Sequence, residues 1–189
     1  MTRPRLTFVA GANGSGKSTL TRWASSLFRE IPVLDPDTIG NTLQSAVNVP
    51  FAIAAGRQVL KSADEHLASS KSFAIETTLA GKSYLRMMLE ARRSGYEVVL
   101  VYIGTESVEI NLVRIRNRVL TGGHDVPEKD VRRRYLRSFE NLTIAIKRSD
   151  QTLLFDNSTE EGYRLIAVLS SAENQWLATP PAWVAKLNL

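Results

Sequence analysis

The sequence predicts a single α/β domain whose doubly wound, mostly parallel sheet carries helices on both faces. Short apolar runs alternate with longer segments of helical periodicity, which is typical of strands that run parallel. A glycine-rich loop separates the first apolar run from the first helical segment. No repeat or low-complexity stretch interrupts the 189 residues, so one domain over residues 1–189 is expected.

The first half of the chain predicts three strands and three helices. Residues 6–10 are an apolar run, and residues 31–34 are another that ends at Asp35-Pro36-Asp37, where the proline stops any helix. Residues 73–78 form the third run. Helical spacing covers residues 19–28, 49–70 and 82–94, and Gly95 is a good stop for the last. In the first helix the predicted inward positions are Leu20, Trp23, Leu27 and Phe28.

The second half continues the alternation. Residues 97–104 are the clearest buried strand, and residues 106–120 follow as helix until Gly122 and Gly123 break it. Apolar residues then recur at helical spacing from Val131 to Ile146. Residues 152–155 and 163–169 predict two more strands, with the last at the edge of the sheet.

Composition excludes several kinds of site. The chain has no cysteine, which excludes disulfides and thiolate metal sites, and its two histidines are too few for a site built of histidines. A reducing cytoplasm is the expected compartment. The first five residues lead straight into a strand, and no segment approaches 18 uninterrupted apolar residues, so neither a secretory leader nor a membrane span is expected.

The glycine-rich loop predicts a phosphate-binding site. It fits G-x-x-x-x-G-K-[ST] and lies between a strand and a helix, the context in which backbone N–H groups converge on an anion. We therefore predict a P-loop NTPase fold of the nucleotide-kinase type, with ATP or GTP as ligand. Lys17 is expected to reach the β and γ phosphates, and the Ser18 hydroxyl to bind Mg²⁺. The predicted cofactor-binding residues are Gly11, Ala12, Asn13, Gly14, Ser15, Gly16, Lys17, Ser18 and Thr19.

Acidic residues at strand ends are the candidates for proton transfer and substrate binding. Asp37 is the candidate base for an acceptor hydroxyl, and Asp35 and Glu76 are candidates for substrate binding. The alternatives are that an aspartate caps the helix after it, and that Glu76 pairs with an arginine as a structural bridge. The run at residues 97–104 ends without an acid, so Mg²⁺ is expected to depend on Ser18 and one of these three carboxylates.

The positive charge is concentrated in one segment. Ten basic and four acidic residues lie between Arg114 and Arg148, which leaves the rest of the chain at −1 of a net charge of +5. A lid over phosphates, a solvated helix face and an RNA-binding stripe are the three interpretations. We predict a lid over about residues 114–137, hinged at Gly122-Gly123, with Arg118 and Arg134 as catalytic arginines. His124 in the hinge is interpreted as a turn or capping residue, with a catalytic base as the alternative.

Together these residues resemble the zeta toxin-like small P-loop kinases. The resemblance depends on Gly11 to Ser18, on Asp35-Pro36-Asp37, on Ile75-Glu76-Thr77-Thr78, and most of all on Gly122-Gly123-His124-Asp125-Val126-Pro127 followed by Arg133-Arg134-Tyr135. It runs from about Arg5 to Phe155.

The resemblance implies a kinase that phosphorylates UDP-N-acetylglucosamine on a sugar hydroxyl. It implies that Lys17 holds the ATP phosphates, that Asp37 is the base, that Glu76 helps to bind substrate, and that lid arginines stabilise the transferring phosphate. A protein antitoxin is the implied protein partner, and neither nucleic acid nor a membrane is expected. The alternatives are a non-catalytic module that binds a partner in response to NTP and a 5′-hydroxyl nucleic-acid kinase.

Overall fold

The computed structural model describes residues 3–24, 31–36 and 51–187. Within these ranges seven strands form one sheet in the order β2-β3-β1-β4-β5-β6-β7. The strands are β1 (Arg5–Ala10), β2 (Val33–Leu34), β3 (Phe73–Thr77), β4 (Glu97–Gly104), β5 (Gln151–Asp156), β6 (Arg164–Ser170) and β7 (Asn174–Trp176). The described helices are α1 (Lys17–Trp23), α2 (Phe51–Ala68), α3 (Lys82–Arg93), α4 (Val108–Leu120), α5 (Glu128–Arg148) and α6 (Ala182–Ala185).

The parallel part of the sheet is buried on both faces. Strand β1 lies between β3 and β4 and runs parallel to both, and β4 and β5 are also parallel. Alternate residues of β1 join different clusters: Leu6 and Phe8 pack in the main core, whereas Val9 packs with Leu20 of α1. Because side chains of a strand alternate between faces, helices must cover both sides of this sheet. The predicted doubly wound fold is confirmed.

The carboxyl ends of the parallel strands meet at one edge. β1 leads into the glycine-rich loop, β2 into Asp35, β3 into Thr78, and β5 into Asn157. Ligands of such folds bind at this edge. The sheet topology therefore brings together the strand-end residues that the sequence marks as candidates.

One prediction about the C-terminal part is wrong. β6 is not the edge strand, because β7 pairs with it in an antiparallel hairpin, with Leu169 opposite Asn174. A short helix, α6, then follows, and its Trp183 is buried in the main core. Ile166 and Ala167 of β6 are fully buried. An edge strand is more exposed to solvent, so this burial favours a neighbouring strand beside β6.

The prediction that Trp23 points inward is also wrong. Its side chain is 80% exposed, whereas Leu20 is buried. The inward face of α1 runs through Leu20 and Thr21, the latter bonded to Glu76 of the sheet. At about 100° per residue, Trp23 lies beyond the edge of that face. Leu27 and Phe28, also predicted inward, lie outside the described residues.

Candidate functional site

The glycine-rich loop has the predicted strand–loop–helix setting. β1 ends at Ala10, and α1 begins at Lys17 with Gly16 as its N-cap residue at φ 104°. This left-handed conformation favours glycine, and it turns the chain so that the helix begins facing the loop. Since the first N–H groups of a helix have no acceptor within it, the start of α1 attracts anions.

The loop forms one wall of a cleft of about 1060 Å³. Loops after β2, β3 and β5 and the helices α4 and α5 form the other walls. Gly11, Ala12 and Ser15 are buried beneath the cleft. The predicted site residues that line it are Asn13, Gly14, Gly16, Lys17, Ser18, Thr19, Asp35, Glu76, Arg118 and Arg134.

Glu76 is the buried carboxylate beside the phosphate loop. Its side chain accepts hydrogen bonds from Ser18 Oγ and from Thr21 Oγ1, each at 2.7 Å, and the residue is only 5% exposed. Burial raises the pKa of Glu76 above its ordinary value, against the opposing effect of the two hydroxyl donors. Nearby Asp35 raises this pKa further, and Lys17 lowers it. Hydroxyl groups of α1 thus contact this carboxylate.

The donors beside the loop fit Mg²⁺. Among the described residues no group of three or more His, Cys, Asp or Glu side chains could hold a metal by itself. A P-loop needs none, because the nucleotide supplies most of the oxygen ligands. Ser18 Oγ and a Glu76 oxygen lie 2.7 Å apart, and both are hard oxygen donors of the kind that Mg²⁺ prefers.

The two aspartates after β2 differ in what the structure describes. Asp35 follows Leu34 directly and lines the cleft. Asp37, the predicted base, lies outside the described residues, so its role stays a prediction. Asp35 is near enough to Glu76 to raise the pKa of that carboxyl, which places two acids on one side of the cleft.

The basic segment supplies another part of the cleft wall. Arg114 and Arg118 of α4 and Arg133, Arg134 and Arg137 of α5 line the cleft. Arg134 Nη1 donates to Asn13 Oδ1 in the phosphate loop at 3.2 Å. A neighbouring arginine has a different setting: Arg132 pairs with Glu109 at 2.9 Å and with Glu128 at 2.8 Å, which ties α5 to α4.

The hinge between α4 and α5 is held by Arg118. Its Nη2 donates to the carbonyl oxygen of His124 at 2.6 Å. Gly123 packs under the same side chain, since a Cβ there would lie 2.5 Å from Arg118 Cγ. His124 lines the cleft, and the carbonyl it offers to Arg118 suits the turn role predicted for it.

Sequence reasoning did not single out three polar residues that contact the loop. Asn111 and Asn157 donate to loop carbonyls, and Tyr163, the residue before β6, does the same. Arg114, the first residue of the predicted lid, donates to the Asn157 carbonyl at 2.7 Å. Only Asn157 had a usable signal, because it follows a predicted strand on the ligand edge.

Comparisons with known proteins show what this chain is similar to. The Zeta toxin family model matches residues 1–160. An uncharacterized protein of Haemophilus influenzae (strain ATCC 51907 / DSM 11121 / KW20 / Rd) is 38% identical over 128 residues, which cover 68% of this chain and 90% of that protein.

Solved structures share the fold at low identity. One is from the PezAT chromosomal toxin-antitoxin system of Streptococcus pneumoniae, with a TM-score of 0.64 and 18% identity, covering 97% of this chain and 77% of that chain. Another is AvrRxo1-ORF1:AvrRxo1-ORF2 with sulphate ions, with a TM-score of 0.71 and 16% identity, covering 99% of this chain and 65% of that chain. No described helix is long and apolar enough to cross a membrane. Since the family model spans most of the chain, this protein belongs to the Zeta toxin family.

Proposed function

We propose that this protein is an ATP-dependent phosphotransferase that moves the γ-phosphoryl group of ATP to a hydroxyl group of a small acceptor. One observation carries the proposal: the phosphate loop, the Ser18–Glu76 pair and the arginines of α4 and α5 all face the same cleft. Phosphoryl transfer depends on such positioning and charge rather than on a covalent step by the protein.

The phosphate loop and Lys17 are proposed to bind the triphosphate. Lys17 lines the cleft and its Nζ donates to Ala12 O at 3.0 Å, so the ammonium group already lies over the loop. Ser18 and Glu76 are proposed to hold Mg²⁺, which when bound would neutralise phosphate charge. An AvrRxo1-ORF1:-ORF2 structure solved with ATP has the same fold, with a TM-score of 0.70 at 18% identity, which supports ATP as the nucleotide. A cytoplasmic location is part of the proposal, because the donor is ATP.

Arg118 and Arg134 are proposed to stabilise charge on the group in transfer. Both line the cleft, and Arg134 contacts the phosphate loop through Asn13. Fixed guanidinium donors are effective for this purpose, because the side chain is planar and stays charged. Arg137 and Arg133, the latter paired with Asp130 at 2.6 Å, line the same wall and are proposed to contact a second phosphorylated ligand.

The acceptor is proposed to be a UDP-sugar, with UDP-N-acetylglucosamine as the leading candidate from the family. A cleft of about 1060 Å³ lies at the upper end of the range of about 300–1000 Å³ for pockets that hold small ligands, which supports room for an acceptor beside the nucleotide. Its acidic side, with Asp35 and Glu76, suits sugar hydroxyls, and its basic side suits a diphosphate. Asp37 is the proposed base. We extend the proposal to a protein antitoxin as partner, which the PezAT toxin-antitoxin system supports.

The test is transfer of label from γ-labelled ATP with Mg²⁺ to a panel of UDP-sugars, neutral sugars, nucleosides and oligonucleotides. We expect label on a UDP-sugar, a loss of ATP binding in Lys17→Ala, and normal ATP binding without transfer in Asp37→Asn. Lys61→Ala is the matched control, since Lys61 is exposed on α2 and does not line the cleft.

The other outcomes separate the alternatives. Label on a 5′-hydroxyl end alone, together with oligonucleotide binding that weakens steeply with salt, would replace the UDP-sugar by nucleic acid. ATP binding without label on any acceptor or on inorganic phosphate would favour a non-catalytic partner-binding module. Equal ATP affinity in Lys17→Ala and the parent would remove the phosphate loop from the proposal.

A further inference from the structure

We propose that Asn111, Asn157 and Tyr163 are positioning residues that set the shape of the phosphate loop by binding its carbonyl oxygens. The inference rests on the proposed nucleotide binding. It assigns a role to three side chains outside the G-x-x-x-x-G-K-[ST] motif, and Tyr163 also lies beyond the residues that the family model matches.

Each of the three side chains donates to a different carbonyl of the loop. Asn111 Nδ2 lies 2.6 Å from Asn13 O, Asn157 Nδ2 lies 2.8 Å from Ser15 O, and Tyr163 Oη lies 2.7 Å from Gly16 O. The donors come from α4, from the end of β5 and from the residue before β6. The loop is therefore held from three separate elements.

A bond to a carbonyl also fixes the N–H group of the following residue. The peptide unit is planar and trans, so its C=O and N–H point in opposite directions. Holding the oxygens of Asn13, Ser15 and Gly16 thus sets the directions of the N–H groups of Gly14, Gly16 and Lys17. These N–H groups belong to the part of a P-loop that binds phosphate. Their directions are set before a ligand arrives, which reduces the ordering that binding requires.

The glycines of the loop are what let these side chains approach. A Cβ on Gly16 would lie 2.6 Å from Asn157 Nδ2 and 2.7 Å from Tyr163 Oη. A Cβ on Gly14 would lie 2.6 Å from the Asn111 carbonyl oxygen. Any larger residue would displace the donors, so the loop and its three donors fit as one unit.

The donors are themselves held in place. Asn111 is fully buried, and its Oδ1 accepts from Thr105 Oγ1, which leaves its amide N–H₂ group pointing at the loop. The backbone of Asn157 is held on both sides, with its N–H donating to Gly104 O and its carbonyl accepting from Arg114. Burial raises the pKa of Tyr163, so its hydroxyl remains protonated and able to donate at neutral pH.

The decisive variant is Tyr163→Phe, which removes one hydroxyl and keeps the ring. Binding of Mg·ATP, tripolyphosphate and adenosine is measured by calorimetry on the full chain, alongside thermal unfolding. We expect Mg·ATP and tripolyphosphate to bind more weakly by the same factor, roughly 3- to 10-fold as for one lost hydrogen bond, and adenosine binding to be unchanged. Tyr96→Phe is the matched control, because that hydroxyl donates to the carbonyls of His66 and Lys71, neither of which lines the cleft.

A role that is only structural would lower the unfolding temperature and leave tripolyphosphate affinity unchanged, which would overturn the inference. A loss for Mg·ATP without a loss for tripolyphosphate would also overturn it, because the hydroxyl would then serve the nucleoside. Asn157→Ala is the second variant and is expected to weaken tripolyphosphate binding in the same way. If the parent binds neither Mg·ATP nor tripolyphosphate, the proposed function itself fails. If the parent binds both of these and Tyr163→Phe binds them with the same affinity, only this inference fails.

Discussion

The buried carboxylate of Glu76 lowers the stability of the folded protein at neutral pH and belongs to the proposed site. Its folded pKa is raised by burial, so the folded state binds a proton more tightly than the unfolded state does. The contribution of Glu76 to stability is therefore greatest below the ordinary glutamate pKa of 4.5 and is lost as pH rises through the folded pKa. We predict that Glu76→Gln raises the unfolding temperature at pH 7, that this gain disappears near pH 4, and that phosphoryl transfer is lost.

Thermal unfolding between pH 4 and pH 8 and the transfer assay check this prediction. Glu97→Gln is the control, because Glu97 forms an exposed pair with Arg5 far from the cleft. Its removal should change neither activity nor the pH profile noticeably. A Glu76→Gln variant that is less stable than the parent at pH 7 would mean that the Ser18 and Thr21 bonds outweigh the cost of burying the charge.

Ser70 is a residue whose backbone conformation glycine would adopt more easily. It follows helix α2 at φ 51° and is exposed, so no packing compensates the left-handed conformation. Ser70→Gly should stabilise the protein by about 0.5–1 kcal/mol in urea unfolding. Ser69→Gly, the matched change one residue earlier, should destabilise it, because Ser69 Oγ donates to Glu65 O. Equal effects of the two changes would refute the strain at Ser70.

The sequence indicates some residues of the candidate site and gives little indication of others. Glu76 was predicted to face the cleft because burying an unpaired carboxylate at the end of an apolar strand would cost free energy. Asn111, Asn157 and Tyr163 reach the loop across 98, 142 and 147 residues of chain. Contacts of that separation are created by the order of strands in the sheet, and apart from the place of Asn157 after a predicted strand, the sequence carries no local pattern for them.

Helix α5 carries two arginines in different settings. Arg134 faces the cleft and contacts Asn13, whereas Arg132 joins Glu109 and Glu128 outside it. We predict that Arg134→Ala lowers kcat by roughly 100-fold, as for loss of a fixed donor to a transition state. Arg132→Ala removes the same charge and should keep kcat within about threefold, because exposed ion pairs contribute little. Label-transfer rates at saturating ATP decide between them, and equal losses would show that net charge rather than position matters.

Elements with strong periodicity were predicted well, whereas the short C-terminal elements β7 and α6 were not predicted. β4 and α3 match their predicted ranges within a residue, because buried strands and amphipathic helices leave long patterns. β7 has three exposed residues and α6 has four residues, so both are too short to show a repeated pattern. The position of β7 depends on its pairing with β6, and that of α6 depends on the packing of Trp183 in the core. Both are tertiary interactions.

Trp183 joins the C-terminal segment to the rest of the molecule. It is buried against Tyr102 and Phe139, and its Nε1 donates to Asp156 Oδ1 at 2.9 Å. We predict that Trp183→Ala lowers the free energy of unfolding by about 3–5 kcal/mol, as for other large core deletions. Trp176→Ala is the control, since Trp176 is 44% exposed and should cost far less. Urea unfolding measures both, and similar losses would mean that α6 is only loosely attached.

The hydrogen bonds from Asn157 and Tyr163 to the phosphate loop also set an order of events during synthesis. The loop leaves the ribosome well before the side chains that hold its carbonyls, because Asn157 and Tyr163 are 142 and 147 residues behind their partners. A nascent chain that has exposed only β1, α1 and β3 has the motif without its supports. The loop therefore gains all of its supports only after Tyr163 has been made, and under the proposed function this would delay ATP consumption until that point in synthesis.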